Sequence, residues 1–193
     1  DPTQGMKPMD KAQLVQLLVQ LYVQDAYPKW QAEHKGKTCP DSLAELSNPP
    51  KVLVNVSAVG YYGDGGDRVL EEDSPPGHDF LASVARDWEA ATEPAARRGV
   101  RVVIPRMGLI LAAGGGALER LLPPFKLGMG GKLGSGAQWM SWIALDDVVG
   151  ALHFLLFTPS LAGPVNVTSP SPVTNAVFAK TLGHVLNRPA VAA

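Results

Sequence analysis

The chain has 193 residues, of which 46% are hydrophobic and 18% are charged, a composition typical of a folded globular protein. Its 17 Lys and Arg nearly balance its 18 Asp and Glu, so no broad positive field favours a nucleic acid as partner. No stretch reaches the roughly 20 apolar residues of a membrane helix, so we expect no membrane partner. The single cysteine excludes an internal disulfide and a thiolate metal site, and it fits a reducing, cytoplasmic location.

The first 48 residues form a segment with its own pattern. Glutamines at spacings of three and four predict a helix from residue 10 to about residue 24, and a second short helix is predicted over 41–46. Asn48-Pro49-Pro50 then interrupts regular structure. We therefore predict a helical N-terminal segment over 1–48 and a separate domain over 49–193.

From residue 51 onward, strands alternate with helices. Buried strands are predicted over 51–56, 100–104 and 164–168, and helices over 79–98, 117–122, 146–157 and 174–186. Pro94 should kink the first of these helices or begin a new turn, and Pro123-Pro124 should end the second. Asp146 should cap the third helix, and Thr174 or Asn175 the fourth. A Gly-rich loop over 125–136 and an extended stretch over 138–145 follow. The alternation predicts an α/β fold with a parallel sheet, in which ligands bind beyond the carboxyl ends of the strands.

A dinucleotide-binding turn is missing from this pattern. Such a turn needs closely spaced glycines between a strand and a helix, so that the backbone can approach the pyrophosphate. The glycines at 114–116 precede a helix but lack the G-x-G-x-x-G spacing, and those at 128–136 follow the Pro-Pro pair and no strand. We therefore expect no grip on a dinucleotide pyrophosphate from these residues.

Five polar or aromatic residues in the predicted loops are candidates for a site. Ser57 could hydrogen-bond a substrate carbonyl or hydroxyl, or simply bond its own backbone at a strand end. Tyr61, or its neighbour Tyr62, could supply a phenolic acid or pack against the sheet. Arg106 could bind a phosphate or carboxylate, or cap a surface element. Gln138 and Trp142 cluster near one loop and helix start, where the Trp could equally be a core residue.

Residues from about 51 to 189 resemble the extended short-chain dehydrogenase/reductase superfamily. Within it they look like the atypical epimerase-family branch, whose members usually carry a small C-terminal domain. The resemblance rests on ordered blocks of sequence: Ser57–Gly63, Glu72–Pro76, Trp88–Ala91, Arg106–Gly108, Gly114–Leu118, Leu122–Phe125, Gly130–Gln138, Ser141–Ile143, Asp146–Asp147 and Gly163–Asn175.

The resemblance implies a partial Rossmann-like parallel sheet that lacks the first βαβ units. It also implies NAD or NADP as cofactor and a nucleotide-sugar-like or other small hydroxy molecule as substrate. By position it assigns catalytic roles to Ser57 and Tyr61, cofactor contacts to Arg106 and Gly108, and substrate contacts to Gln138 and Trp142.

Departures from the family pattern give further expectations. The Gly-rich turn is missing, and Ala144 stands where a His is common, so we expect an inactive or cofactor-deficient chain without detectable NAD(P)H binding. The alternative is a non-enzymatic fusion or fragment, because residues 10–46 weakly resemble a type II secretion pseudopilin. The strand at Lys51 would lack a neighbour, which predicts an oligomer formed through its exposed edge.

Overall fold

The computed structural model describes residues 46–190, and four of its strands form one parallel sheet. In chain order the strands are β1 Val52–Val54, β2 Ser57–Ala58, β3 Arg101–Met107, β4 Leu109–Ala112, β5 Trp139–Met140, β6 Trp142–Ala144, β7 Gly163–Val167 and β8 Val173–Thr174. The helices are α1 Phe80–Ala90, α2 Glu93–Arg97, α3 Gly116–Lys126, α4 Leu145–Phe157 and α5 Asn175–Val185. A 3₁₀ turn, Val59–Tyr62, follows β2 directly. The predicted helices over 10–24 and 41–46, apart from Leu46, lie outside the described residues.

Strand β3 is the centre of the main sheet. One side pairs in parallel with β1 and then with β2, and the other side pairs in parallel with β7. A parallel pair, β4 and β6, and an antiparallel pair, β5 and β8, form two smaller sheets. The predicted parallel α/β architecture is therefore confirmed. The extended stretch predicted over 138–145 contains β5 and β6, whereas β4 and β8 were not predicted from the sequence.

The strand predicted over 51–56 is broken, and Pro105 explains the break. Backbone bonds from Arg101 N to Lys51 O (3.2 Å) and from Asn55 N to Val103 O (2.9 Å) show that odd-numbered edge residues face β3. The next bond would come from residue 105, but proline has no N–H to donate. The hydrogen bonds between the edge strand and β3 are therefore interrupted beside Asn55. They continue at β2, where Ser57 is paired with Arg106.

The two faces of the sheet carry different apolar clusters. On one face, Val103, Met107 and Val167 pack with Val148 and Leu155 of helix α4. On the other face, Val102 and Ile104 pack with Ala95 of helix α2. Because side chains alternate across a strand, residues of opposite parity in β3 serve opposite helix layers. The result is three layers, with a helix layer on each side of the sheet.

Proline acts in two different ways in the helices. The helix predicted over 79–98 is two helices, and Pro94 lies in the first turn of α2, as the alternative of a new turn predicted. The prediction that Pro123-Pro124 ends a helix is wrong, because α3 includes both and continues to Lys126. Phe125, only 4% exposed, anchors that last turn in the interior, which offsets the hydrogen bonds that the prolines cannot donate.

The remaining boundaries move by a few residues. Strand β3 runs three residues past its predicted end through Pro105, and β7 begins one residue early. Asp146 was predicted to cap α4, but the N-cap is Ala144 and Asp146 lies inside the first turn. Thr174 caps α5 as predicted, accepting a hydrogen bond from Val177 N.

The C-terminal end of α4 is held by a residue of the sheet. Arg101, the first residue of β3, donates hydrogen bonds to the carbonyls of Leu155 (3.1 Å), Leu156 (2.7 Å) and Leu161 (2.9 Å). The last carbonyls of a helix lack partners within the helix, so a cation there satisfies them and complements the helix dipole. No helix within residues 46–190 is long and apolar enough to cross a membrane.

Candidate functional site

Three strands of the sheet bring polar side chains side by side at their carboxyl ends. Ser57 of β2 is paired with Arg106 of β3, and Arg106 is paired with Asn166 of β7. Directly paired residues in a sheet project from the same face, so the three side chains form one row. This is the edge of a parallel α/β sheet at which ligands usually bind.

Ser57 is the residue of the row whose hydrogen bonding is incomplete. Its side chain is 5% exposed, and its Oγ has no hydrogen-bond partner among the described residues. The alternative that Ser57 bonds its own backbone is therefore not what the structure shows. Asn55 Nδ2, two residues earlier, is buried without a partner as well. Unsatisfied buried donors are uncommon in folded proteins and each needs a cause.

Arg106 binds a carboxylate, but the carboxylate belongs to this chain. Its Nε and Nη2 donate to the two oxygens of Glu89 on helix α1, at 2.9 Å and 2.8 Å. Its Nη1 donates to the Tyr62 hydroxyl (2.9 Å) and to the Glu72 carbonyl (3.0 Å). Four of the five N–H groups of the guanidinium are thus engaged internally. Its predicted contact with a cofactor remains a prediction, and Arg106 lies within β3 and is buried, contrary to the predicted surface or capping alternative.

Burial and charge act in opposite directions on Arg106. Burial by itself would lower the pKa of the guanidinium, but the hydrogen bonds that it donates to Glu89 and Tyr62 outweigh burial and hold the pKa above its usual value. The side chains of Arg106 and Glu89 are 3% and 11% exposed. Arg106 is therefore a permanent cation whose charge is neutralised within the fold.

The two tyrosines after β2 have different environments. Tyr62 is buried, and its hydroxyl donates to Asn166 Oδ1 (2.7 Å) while accepting from Arg106. Tyr61 is half-buried, and the Arg106 guanidinium carbon lies 3.5 Å from the centre of its ring. The two rings meet edge to face at 5.4 Å. Tyr61 thus packs, as one alternative predicted, while its hydroxyl makes no hydrogen bond to any residue in the described range.

A loop from Gly63 to Gly77 folds back onto the same row. Its ends meet closely, with Gly77 N bonded to Tyr61 O, and a Cβ at Gly77 would lie 2.7 Å from the Gly63 Cα. Glu72 reaches the sheet through its carboxylate, which accepts from Asn166 N at 2.7 Å. The loop is therefore fixed to the carboxyl ends of β3 and β7.

Gly108 and Trp142 lie next to this row, at the start of the second parallel sheet. A Cβ at Gly108 would lie 2.6 Å from the carbonyl oxygen of Ser141, so only glycine fits between the strands. Trp142 is paired with Leu109, and its indole N–H donates to the Ser171 carbonyl at 3.0 Å. The indole is half-buried and engaged with the protein, and its predicted substrate contact stays a prediction.

Gln138 belongs to a second group. The side-chain amide of Gln138 donates to the Leu133 carbonyl (3.0 Å), and the backbone carbonyl of Gln138 accepts from Asn175 N (2.9 Å). Asn175, which is buried, also binds Leu133 N (2.7 Å) and adjoins a cavity of about 230 Å³ lined by Phe125 and Phe178. The structure thus brings Ser57, Tyr61 and Arg106 together and sets Gly108 and Trp142 beside them. Gln138 is not hydrogen-bonded to any of them among the described residues.

Sequence reasoning missed three members of the network, namely Glu72, Glu89 and Asn166. An arginine inside an apolar strand gives one signal, because a buried guanidinium requires an acidic partner. Glu89 is the suitable acid, since it shares the buried face of α1 with Ala82 and Ala85. The Asn166 and Glu72 contacts depend on how the long loop folds, which no local pattern records.

The described residues suit one end of a nicotinamide dinucleotide and not the other. Ser57 offers an unengaged buried hydroxyl at the end where reacting groups bind. No α-helix within 46–190 begins directly after a strand of the main sheet, so the pyrophosphate would find no helix N-terminus there. No group of three or more His, Cys, Asp or Glu side chains in the same range could hold a metal ion.

Comparison of the sequence with known proteins finds relatives that are described alike, as epimerase family proteins. No protein-family model matches the chain. An epimerase family protein of Mycobacterium tuberculosis is 53% identical over 137 residues, which cover 71% of this chain and 46% of that protein. A mouse epimerase family protein is 39% identical over 151 residues, covering 77% of this chain and 51% of that protein. The chain thus spans about half the length of the curated relatives that it matches.

Solved structures agree with these relatives. The human epimerase family protein SDR39U1 (isoform 2) with NADPH has a TM-score of 0.74 and 38% identity, over 79% of this chain and 52% of that one. A nucleoside-diphosphate sugar epimerase from Corynebacterium glutamicum has a TM-score of 0.67 and 38% identity, over 80% and 34% of the two chains. A Bacillus cereus UDP-glucuronic acid 4-epimerase with NAD, at 14% identity and a TM-score of 0.69, supports the fold alone, over 79% and 52%. The fold is therefore Rossmann-like, and the chain is similar in sequence to epimerase family proteins.

Proposed function

We propose that the carboxyl ends of β2, β3 and β7 form the nicotinamide and substrate side of an NAD(P)-linked epimerase or reductase site. The observation that carries this proposal is the Ser57 hydroxyl, buried and without a partner at that edge. Leaving such a group unsatisfied costs about 1–3 kcal/mol, a cost that a ligand oxygen would remove. Relatives whose structures contain NADPH or NAD support the cofactor class. The substrate class is a nucleotide-sugar-like or other small hydroxy molecule.

The chemistry of such a site divides between the cofactor and the protein. A bound nicotinamide supplies hydride acceptance and donation. Ser57 donates a hydrogen bond to the substrate oxygen that changes between hydroxyl and carbonyl, and the Tyr61 phenol exchanges the accompanying proton. Arg106 keeps the Tyr61 ring in place from behind and does not itself touch the reacting atoms. Gly108 has no room for a side chain, so its backbone stays close to the Ser141 carbonyl.

Contact with the nicotinamide tests the proposal. Saturation-transfer NMR with millimolar NADPH and UDP-glucose should show transfer to the nicotinamide and sugar protons, and Ser57→Ala should weaken the sugar contact by about 2- to 12-fold, the value of one hydrogen bond. Ser160→Ala, at an exposed serine in the turn between α4 and β7, is the matched control and should have no effect. Equal transfer to the sugar protons in wild type and in Ser57→Ala, or no transfer to the nicotinamide at all, would remove the basis of the proposal.

Tight cofactor binding is not expected from these residues. Because the described range supplies no pyrophosphate turn, we propose that a calorimetric titration with NADPH gives no micromolar binding. A micromolar dissociation constant would contradict this cofactor-deficient state and place a pyrophosphate site elsewhere in the chain.

The single cysteine remains consistent with a reducing cytoplasmic location.

A non-enzymatic role is the second candidate. It is favoured by the internal engagement of Arg106, four of whose N–H groups are used within the fold. Under this alternative the polar row is structural only, and the NMR experiment would detect no nicotinamide contact in any variant.

A further inference from the structure

The ring of Tyr61 is held by groups that Arg106 organises. The guanidinium carbon of Arg106 lies 3.5 Å from the centre of the Tyr61 ring, in contact with the ring face. The Tyr62 ring meets the Tyr61 ring at 86°, with 5.4 Å between the centroids, and the Tyr62 hydroxyl accepts from Arg106 Nη1 at 2.9 Å. The Tyr61 backbone is fixed as well, because its carbonyl accepts from Gly77 N at 2.9 Å. The direction of the Tyr61 phenol therefore depends on the position of the guanidinium.

Glu89 determines the position of the guanidinium. Both of its carboxylate oxygens accept from Arg106, at 2.9 Å and 2.8 Å, and two parallel bonds of this kind fix the plane of a guanidinium. The other two acceptors, the Tyr62 hydroxyl and the Glu72 carbonyl, both bind Nη1 and are uncharged. Glu89 lies in the interior on helix α1, with its side chain 11% exposed. It thus supplies half of the hydrogen bonds of Arg106 and a charge that compensates the guanidinium.

We propose that Glu89 is a positioning residue, which acts through Arg106 and directs the Tyr61 phenol toward the substrate oxygen. This role rests on the proposed function of Tyr61 in proton exchange. Such an exchange needs a hydrogen bond of about 2.6–3.2 Å, and a displacement of about 1 Å can lower a rate about 100-fold. The hydroxyl of the neighbouring Tyr62 already donates to Asn166 and accepts from Arg106, so Tyr61 is the phenol of this pair that has a hydroxyl to direct.

The energetics of a buried ion pair favour a role in geometry. Taking Arg106 and Glu89 out of water is costly, and apolar side chains of similar volume are often at least as stabilising in their place. A planar guanidinium, however, stacks as a cation on an aromatic face, which an apolar side chain does not do. The internal hydrogen bonds of Arg106 are then part of the site, and they do not mark the site as structural only.

Carbon-13 relaxation of the Tyr61 ring in the full, ligand-free chain gives the first test. Arg106→Lys keeps a cation beside Glu89 but has no planar group to lie on the ring, so the order parameter of the Tyr61 ring should fall. The double variant Glu89→Gln with Arg106→Met, which leaves no charge buried alone, should lower it too. The Trp142 indole, bonded to the Ser171 carbonyl, is the internal reference and should not change. An unchanged Tyr61 ring in both variants would overturn the proposal.

A thermodynamic cycle shows whether Glu89 and Arg106 act through Tyr61. In saturation-transfer titrations with NADPH and UDP-glucose, Tyr61→Phe should weaken the sugar contact about 2- to 12-fold, the value of one hydrogen bond, and the double variant should weaken it by a similar factor. Because the double variant acts through the phenol, it should cause no further loss in the Tyr61→Phe background. Glu93→Gln with Arg97→Met, the same change at an exposed pair, is the matched control and should leave the contact unchanged.

Three results of the titrations would count against this role. If Ser57→Ala weakens the sugar contact but the double variant does not, the positioning role of Glu89 is overturned and the proposed function stands. Losses that add up in the Tyr61→Phe background would show a general structural effect and would overturn the role as well. No contact of the wild-type chain with the sugar or the nicotinamide would overturn the proposed function and the positioning role together.

Discussion

Replacing Glu89 with Gln removes the charge that neutralises Arg106 and leaves the side-chain shape nearly unchanged. The two side chains are 11% and 3% exposed, so the remaining guanidinium cannot recover its hydration without opening the fold. Removing one partner of a buried pair costs about 3–5 kcal/mol. Since domains are stable by about 5–15 kcal/mol, Glu89→Gln should remove about a fifth or more of the free energy of unfolding.

Urea denaturation followed by circular dichroism measures this loss. Arg106→Met should cost a similar amount, because it leaves the Glu89 carboxylate without its guanidinium. The double variant Glu89→Gln with Arg106→Met should be destabilised by much less than the sum of the two single changes, since no charge stays buried alone. The exposed pair Arg97–Glu93, at 3.2 Å, is the matched control, and Glu93→Gln should change stability by less than about 0.5 kcal/mol.

The pH dependence of the pair follows from the raised pKa of Arg106. A group whose folded-state pKa is raised contributes its full stabilisation below its unfolded-state pKa and loses it only at higher pH. For an arginine that loss lies above about pH 12, so its contribution should stay constant between about pH 5 and pH 9. For the urea experiment, the reasoning would be refuted if Glu89→Gln and Arg106→Met each lowered the free energy of unfolding by less than about 1 kcal/mol. Additive losses in the double variant would refute it too.

Two further changes test the packing around the site. Gly108→Ala places a methyl group 2.6 Å from the Ser141 carbonyl oxygen and should cost about 1–3 kcal/mol in thermal unfolding, whereas Gly115→Ala, with no atom within 4 Å, should change stability by less than about 1 kcal/mol. Arg101→Ala leaves the last carbonyls of α4 without their cation and should lower the free energy of unfolding by about 1–2 kcal/mol. Arg86→Ala is the surface control, and equal effects of the two arginine changes would contradict the capping role of Arg101.

The sequence was most informative where one local pattern decides the structure. Alternation of β-branched runs with helical periodicity predicted the parallel sheet, and the cap of α5 is Thr174, one of the two residues predicted for that role. Prolines were harder to interpret because their effect depends on the neighbours. Pro105 interrupts only one side of β3, and Pro123 stays helical because Phe125 packs in the interior.

The candidate site was predictable in part for a similar reason. Ser57 and Arg106 follow or end apolar strands, so their meeting at one edge of the sheet could be anticipated. The partner of Arg106 was not, because Glu89 lies on a helix whose orientation depends on packing. The Glu72 contacts depend on a 15-residue loop from Gly63 to Gly77, whose path is set by tertiary bonds to Asn166 and not by its own sequence.

Strand β3 carries two arginines, Arg101 and Arg106, near its two ends. Because they are five residues apart, their side chains lie on opposite faces of the sheet, and each of them restricts the register of the strand. Arg101 serves the helix layer of α4, and Arg106 serves the layer of α1. A slip of one residue would turn each guanidinium toward the opposite layer. Arg106 would then enter the apolar cluster of Val103 and Leu155, unpaired. The same two side chains that bind the helices thus exclude every alternative alignment of the central strand by one residue.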